Sequence, residues 1–422
     1  MTWIIETTAP AACDVLVAGA GTAGVFAAIS AARCGARVLL VEKGSLPGGT
    51  MTAAGVNFPG LFYAWGKQII AGPCWEAILR TAALGGAEIP EQIRLPQRHW
   101  HLQIRLDVFA WTAVLDEMLA EAGVEVRYHT MIAALREDTD GVDALLTEKQ
   151  GTRSVRAKIL IDATGDANAA AALGYPVVKS ESLQPATLMN TITGFRLADV
   201  SEDDVREVFA RAAAAGEVFP RDFQGISPMA ALRMGKFHMH IPVSAPETSS
   251  GKSELERTAR ALCLRLTRVY RRVPGLENLR VASFSPECGV RESVRIDGET
   301  CITAEDYLAG RVWEDSVCYA FYPIDRHTDT GIHQVFLAED VVATVPYRAL
   351  IPAGARRVLT AGRCISADTD ANSALRVEAP CMATGQAAGA AAALALEAGS
   401  VPAVSAEALK NRLRALGAIV PQ

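Results

Sequence analysis

Between Cys13 and Lys43 the chain runs through an apolar stretch of β-branched and leucine positions, a glycine turn, about ten helix-forming residues, a stop at Gly35 and a second apolar run. This order predicts a βαβ unit. Val108, Trp111, Leu115, Met118, Leu119 and Ala122 then fall on one helical stripe that Gly123 ends, followed by the alternating segment VEVRYH. Three further strands are predicted around Ile132–Leu135, Val142–Thr147 and Val155–Ile161, with Asp140-Gly141 and Gln150-Gly151 as turns.

From Gly174 to Pro346 the pattern changes to extended segments such as ATLMNTITGFRL and KFHMHIPV, separated by two capped helices. One is expected to begin at Ser201 with Asp204 three residues on, the other at Ser253 with Glu256. In the second, Leu255, Ala259, Leu262, Leu266, Val269 and Val273 form the apolar stripe, and Arg257, Arg260, Arg268 and Arg271 form a solvated face. After Pro346 come the strand RRVLTAG and a small-residue helix expected to start near Pro380. The pattern as a whole predicts an α/β protein whose first domain is discontinuous, residues 10–175 and 346–420, with an α+β substrate or cap domain at 176–345.

Half of the 422 residues are hydrophobic, which supplies a large core and excludes wholesale disorder. The 41 Lys+Arg against 47 Asp+Glu argue against a dedicated nucleic-acid binder. Nine scattered cysteines without a C-x-x-C show neither a zinc framework nor a redox dithiol, and fit a cytoplasmic location. The most apolar stretch, Ala387–Leu396, reads as too short to span a bilayer, so no membrane association is expected.

Gly19-Ala20-Gly21-Thr22-Ala23-Gly24 is a G-x-G-x-x-G placed after a strand and at the mouth of a helix, and the next strand ends in Glu42, 18 residues past Gly24. Gly19 permits a tight turn, Gly21 lets a pyrophosphate reach the backbone N–H groups, and Gly24 lets helix and strand approach closely. Glu42 can accept hydrogen bonds from a ribose 2′-OH and disfavours a 2′-phosphate. Three distant segments extend the pattern: KGSLPGGTMTAAG after Glu42, LIDATGDAN at the end of a later strand, and AGRCISADTDANSALRVEAPCMATGQAAG near the end.

With these segments, and with YPID-x-H and VPYRALIP, nearly the whole chain resembles the bacterial FAD-dependent oxidoreductases of the glutathione-reductase fold, second subgroup. The resemblance implies a Rossmann-like FAD-binding domain and FAD as cofactor. It would set Gly19, Gly21 and Gly24, with Thr22 and Ala23 between them, on the pyrophosphate, and Glu42 and Lys43 on the adenosine side. Gly48, Gly49 and Thr50 would approach the isoalloxazine. Ala163, Thr164, Gly165 and Asp166 would flank the pyrophosphate and adenine, and Gly362 and Arg363 the ribityl chain. Ala383, Thr384, Gly385 and Gln386 would open the last helix toward the flavin.

No second G-x-G-x-x-G occurs between 176 and 345, which with the missing C-x-x-C weighs against a disulfide reductase. The expected reaction is removal of hydride from a CH–OH or CH–NH centre of a small polar metabolite. The alternatives are flavin-dependent reduction of an activated double bond and a non-catalytic or sensory flavoprotein. Oxidation needs a proton acceptor near neutral pH, and His327 of FYPIDRHTDTG is the candidate base. Asn57, Tyr63, His101, His238, His240, Tyr322 and Arg376 are candidate substrate contacts. Arg291, Glu292 and Arg295 of GVRESVRIDGE read as interdomain ion pairs. The pairs His99/His101 and His238/His240 lack a third ligand at a recognisable spacing, so no metal is expected. The electron acceptor, dioxygen or a redox partner, stays open, as does a homo-oligomer.

Overall fold

A computed structural model describes residues 11–89, 103–223, 225–237, 239–328 and 331–422. Strand β1 (Ala11–Ala18) buries Val15 to Ala18 completely or nearly so. At Gly19 the chain turns with φ +96°, and a Cβ there would stand 2.7 Å from the Ala163 carbonyl oxygen, so the position requires glycine. Helix α1 (Thr22–Arg33) is buried along its first ten residues, which is why its sequence carries no polar stripe. β2 (Val38–Val41) lies parallel to β1, with Val15 opposite Val38. Helix α2 (Pro73–Gly85) precedes α3 (Val108–Glu121), which is capped by Asp107 and buries Trp111, Leu115, Met118 and Leu119. The strands β3 (Glu125–Arg127), β4 (Met131–Glu137), β5 (Val142–Glu148) and β6 (Gly151–Asp162) follow.

A second hydrophobic core gathers residues between Ala186 and Val290 around α4 (Glu202–Ala214) and α5 (Ser249–Tyr270). Ser201 caps α4 through the Asp204 N–H, as its spacing predicts. α5 begins one turn before the expected Ser253. Thr248 caps it instead, accepting from the Gly251 N–H at 3.0 Å, and Ser253 sits inside the helix with its hydroxyl on the Ser249 carbonyl. Gly251 allows the early start, because a Cβ there would meet the Ala245 carbonyl oxygen at 1.9 Å. The stripe Leu255, Ala259, Leu262, Leu266 and Val269 is buried as the periodicity requires, and Tyr270 stacks on Phe237. The KFHMHIPV segment forms no strand among its described residues; Ile241 makes an isolated bridge to Ala186.

Ile302, Tyr307, Val317, Phe321, Ile324 and Val345, expected within the cap, pack into the first core instead, so the core boundary lies between Val290 and Ile302. β7 (Val358–Thr360) joins the first sheet beside β6, with Val358 opposite Leu160. The sheet is thus seven-stranded and mixed, ordered β3-β2-β1-β6-β5-β4 with β7 also on β6; β4, β5 and β6 pair antiparallel and the rest parallel.

Helix α6 (Glu378–Ala398) starts two residues before the expected Pro380, which a first helical turn accommodates because its N–H groups have no intrahelical partner. Its 21 residues are long and apolar enough to cross a bilayer, correcting the expectation from the shorter Ala387–Leu396 stretch, but 89% of its apolar window is buried inside the protein. It packs backbone to backbone on α1: a Cβ at Gly385 or Gly389 would lie 2.1 Å from the carbonyl oxygen of Ala23 or Ala27. Gly389→Val should therefore lower unfolding stability by about 1–3 kcal/mol or more, read as a lower urea midpoint.

Candidate functional site

A cavity of about 670 Å³ opens where the two cores meet. One end is walled by the β1–α1 turn, the end of β2 and the Ala163–Asp166 loop. The other end is walled by Arg291, Tyr322, Asp325, His327 and Arg376. Gly362, Arg363 and the start of α6 lie on the wall too.

The first end fits a dinucleotide. No side chain caps α1 at Gly21, so its first-turn N–H groups are left for a ligand. Gly21 lines the cavity, and a Cβ added there would have one protein neighbour, the Ala163 carbonyl oxygen at 3.9 Å; the space it would fill is the cavity itself. Gly49 presses on the Gly21 backbone, where a Cβ would come within 2.8 Å of the Gly21 Cα. Asp162 builds the adjoining loop. It is wholly buried and accepts from the Thr164 N–H and hydroxyl and from the N–H groups of Ala169 and Ala170.

Glu42 stands at the end of β2 on the cavity wall and accepts from the Ala20 N–H at 2.8 Å and the Gly44 N–H at 2.7 Å, which aim it beside the turn. Lys43 pairs with Glu287 at 2.8 Å. Asp166 accepts from Arg363 at 2.5 Å and from the Ser293 hydroxyl, and Arg363 also donates to the Val290 carbonyl, tying the loop to the second core. Gly19, Gly21, Thr22, Ala23, Gly49, Thr50, Ala163, Thr164, Gly165 and Gly362 all line the cavity with them.

Several expected contacts lie elsewhere. Gly24 and Gly48 are off the cavity wall; a Cβ on Gly24 would strike the Gly19 carbonyl oxygen at 1.8 Å, so its role is helix–strand packing. Ala383, Thr384, Gly385 and Gln386 are also off the wall, because α6 begins earlier and these residues have turned onto its packed face. Thr384 accepts from the Gly362 N–H, Gln386 binds the backbone of Ala71 and Cys74, and Gly385 touches α1. The end of α6 that meets the cavity is Val377, Glu378 and Cys381. Asn57 donates to the Leu106 carbonyl, and Tyr63 packs edge-on against Trp75; neither lines the cavity. His99, His101 and His238 lie outside the described residues.

At the far end, Asp325 and His327 sit two apart on the strand Ile324–Thr328 and so on one face. His327 is buried, with Nε2 3.0 Å from Asp325 Oδ2, Nδ1 3.3 Å from His240 Nε2, and its backbone N–H on Gln184 Oε1. His240 is buried off the cavity wall and reaches it through His327. Burial works against charge on Asp325, but His327, Gln334 and Arg376 outweigh it and hold the carboxyl at about 2. Burial, with Arg291 and Arg376 nearby, pulls the His327 imidazole below its usual value despite Asp325. Burial thus favours the neutral ring, and the Asp325 carboxylate, which can only accept, favours the tautomer with its proton on Nε2. Among the described residues no group of His, Cys, Asp or Glu is placed to hold a metal ion.

Glu292 and Arg295 are buried in a hydrogen-bonded network with Ser180, Gln184 and Ala367, but Arg291 makes no ion pair among the described residues and lines the cavity. This corrects the expectation of three ion-paired residues. Sequence reasoning also missed Glu378, Lys236 and Lys252 on the wall. Glu378 carried a usable signal, an acid at the head of a small-residue helix; the lysines carried none, because they reach the wall from segments distant in sequence from its glycine motifs.

Burial raises the Glu378 carboxyl to about 7, although the Thr22 hydroxyl donates to it. Between its ordinary value near 4.5 and about 7 the folded state holds a proton that the unfolded state releases. Stability from this group is thus full below about pH 4.5 and is lost as pH rises to about 7. Glu378→Gln should flatten that slope, on the order of 3 kcal/mol, in urea titrations at pH 5 and 8.

Over 129 residues the chain is 34% identical to the sarcosine oxidase alpha subunit of Rhizobium meliloti, covering 27% of this chain and 13% of that protein. It is similar to the p-nitrophenol 4-monooxygenase of Pseudomonas putida at 15% identity, covering 95% of this chain and 84% of that one with a TM-score of 0.39. A geranylgeranyl bacteriochlorophyll reductase-like protein of Thermoplasma acidophilum matches at 15% identity over 97% of this chain and 84% of that one, with a TM-score of 0.44. The profile of the FAD dependent oxidoreductase family matches residues 14–413, so a chain that shapes a dinucleotide cradle from its first glycine turn belongs to that family of enzymes and takes FAD as its cofactor.

Proposed function

We propose that the enzyme oxidises a small polar molecule at a CH–OH or CH–NH centre. It would do so on an FAD-binding lobe of glutathione-reductase type, built from both ends of the chain, with the core between Ala186 and Val290 as the substrate cap. The observation that carries this reading is the buried Asp325–His327 pair on the same cavity wall as the dinucleotide cradle. When bound, FAD accepts the hydride leaving the substrate carbon. His327 takes the O–H or N–H proton as the C=O or C=N bond forms, with His240 Nε2 3.3 Å from its Nδ1 to orient the ring. Asp325 fixes the tautomer and stabilises the imidazolium. The electrons leave to dioxygen or to a redox partner.

Cap composition argues against a nicotinamide donor. It has no second G-x-G-x-x-G, and between Ala186 and Val290 its described strands are the antiparallel pair Asn190–Thr193 and Arg280–Phe284. NADH and NADPH should reduce the flavin more slowly than ~1 s⁻¹, the low end of ordinary turnover, in anaerobic stopped flow. A panel of alcohols and amines added under the same conditions should contain compounds that bleach the flavin. If none does, while NADH reduces it rapidly, the reading fails.

A further inference from the structure

Around His327 the positive charge exceeds what the carboxylates among the described residues neutralise. Arg291 and Arg376 line this end of the cavity, with Lys236 elsewhere on the same cavity wall, and the carboxylate beside the two arginines, Asp325, is already engaged by His327 and by Gln334 at 2.8 Å. Asp325 reaches Arg376 Nη2 only at 3.8 Å. Arg376 otherwise makes long contacts, 3.4 Å to Gln184 Oε1 and 3.3 Å to the Asp325 carbonyl, and its Nε is buried without a partner. Arg291 donates one N–H to the Pro185 carbonyl and has no carboxylate within 4.0 Å among the described residues; the same is true of Lys236. The other acids whose charge reaches Arg376 are committed elsewhere: Glu292 to the Gln184 N–H and the Ser180 hydroxyl, and Glu378 to Thr22.

A buried cation without a counter-charge is costly, and a guanidinium stays protonated rather than relieve that cost by titration. Two guanidiniums at one end of a cavity form a receptor for a planar anion, because the guanidinium fork matches a carboxylate in geometry and charge. Burial and the charge of Arg376 push Arg291 down to about 9, as expected where two like charges await a third group.

We propose that the substrate carries a carboxylate, which Arg291 and Arg376 bind and Lys236 attracts, leaving its oxidisable carbon beside His327. This rests on the oxidation reading above and narrows the substrate to a hydroxy acid or an amino acid.

Calorimetric titration of the FAD-loaded protein at fixed ionic strength tests it, with acetate, glycolate and benzoate each compared with its uncharged amide. At least one carboxylate should bind tenfold or more tighter than its amide. Arg291→Gln and Arg376→Gln should each erase at least tenfold of that difference, in line with lost charged hydrogen bonds. Arg291→Lys, which keeps the charge but loses the fork, and Lys236→Met, which leaves both guanidiniums in place, should each weaken carboxylate binding less than the glutamine variants, and they carry the test if a glutamine variant does not fold. Equal binding of acid and amide, no carboxylate binding, or full affinity in these variants would overturn the proposal. Its failure and that of the oxidation reading are separable: in the latter case carboxylates bind, yet no hydroxy or amino acid bleaches the flavin.

Discussion

Gly21→Val protein should purify folded but colourless, with complete loss of bound flavin. The valine side chain would project into the cavity where a pyrophosphate must approach the α1 N-terminus. The protein itself leaves room, since the added Cβ has one neighbour, at 3.9 Å, and Gly21 has φ −66°, which any residue adopts. Far-UV circular dichroism should therefore match the parent while the flavin absorbance disappears. Gly24→Val provides the contrast: its Cβ would strike the Gly19 carbonyl oxygen at 1.8 Å, so it should fail in folding before it fails in binding. Full FAD content in the Gly21 variant would place the dinucleotide elsewhere.

His327→Ala should keep its fold and its FAD but reduce the flavin some 10²–10⁴-fold more slowly with substrate, the usual contribution of a positioned general base. The deficit should shrink as pH rises and the substrate's own ionised fraction grows. Because burial and the two arginines hold the imidazole below its ordinary value, the acid limb of the parent rate should lie below pH ~6.5. Asp325→Asn, which leaves the geometry but removes the charge facing Nε2, should shift that limb further toward acid. A His327→Ala rate equal to the parent's between pH 6 and 9 would make the residue structural.

The glycine turn, its two flanking strands and Glu42 were legible because strand, turn and helix are adjacent in sequence and each glycine answers a local steric demand. His327 was singled out from its motif, but its partner Asp325 was not, although residues two apart on a strand share a face. The start of α6 was less so: Pro380 suggests a boundary, but proline is tolerated within a first turn, and the error moved the expected contacts from Val377 and Glu378 to Ala383–Gln386. Long-range packing was opaque. Nothing near Lys236, Lys252 or His240 in the sequence tells that the fold brings them to or behind the cavity wall. Arg291 beside Glu292 suggested an ion pair, yet the two side chains diverge, one into the cavity and one into a buried network. Where the first core resumes was not legible, because the extended segments between Gly174 and Pro346 read as one region and only their contacts show which core each joins.

The direction of electron flow tests the account most directly. Oxidised, FAD-loaded protein mixed anaerobically with a panel of hydroxy and amino acids should lose its flavin absorbance with at least one of them, at a rate that rises with substrate concentration. If no compound reduces the flavin, while chemically pre-reduced protein is reoxidised by compounds bearing an activated double bond, the enzyme is a reductase and the account is wrong.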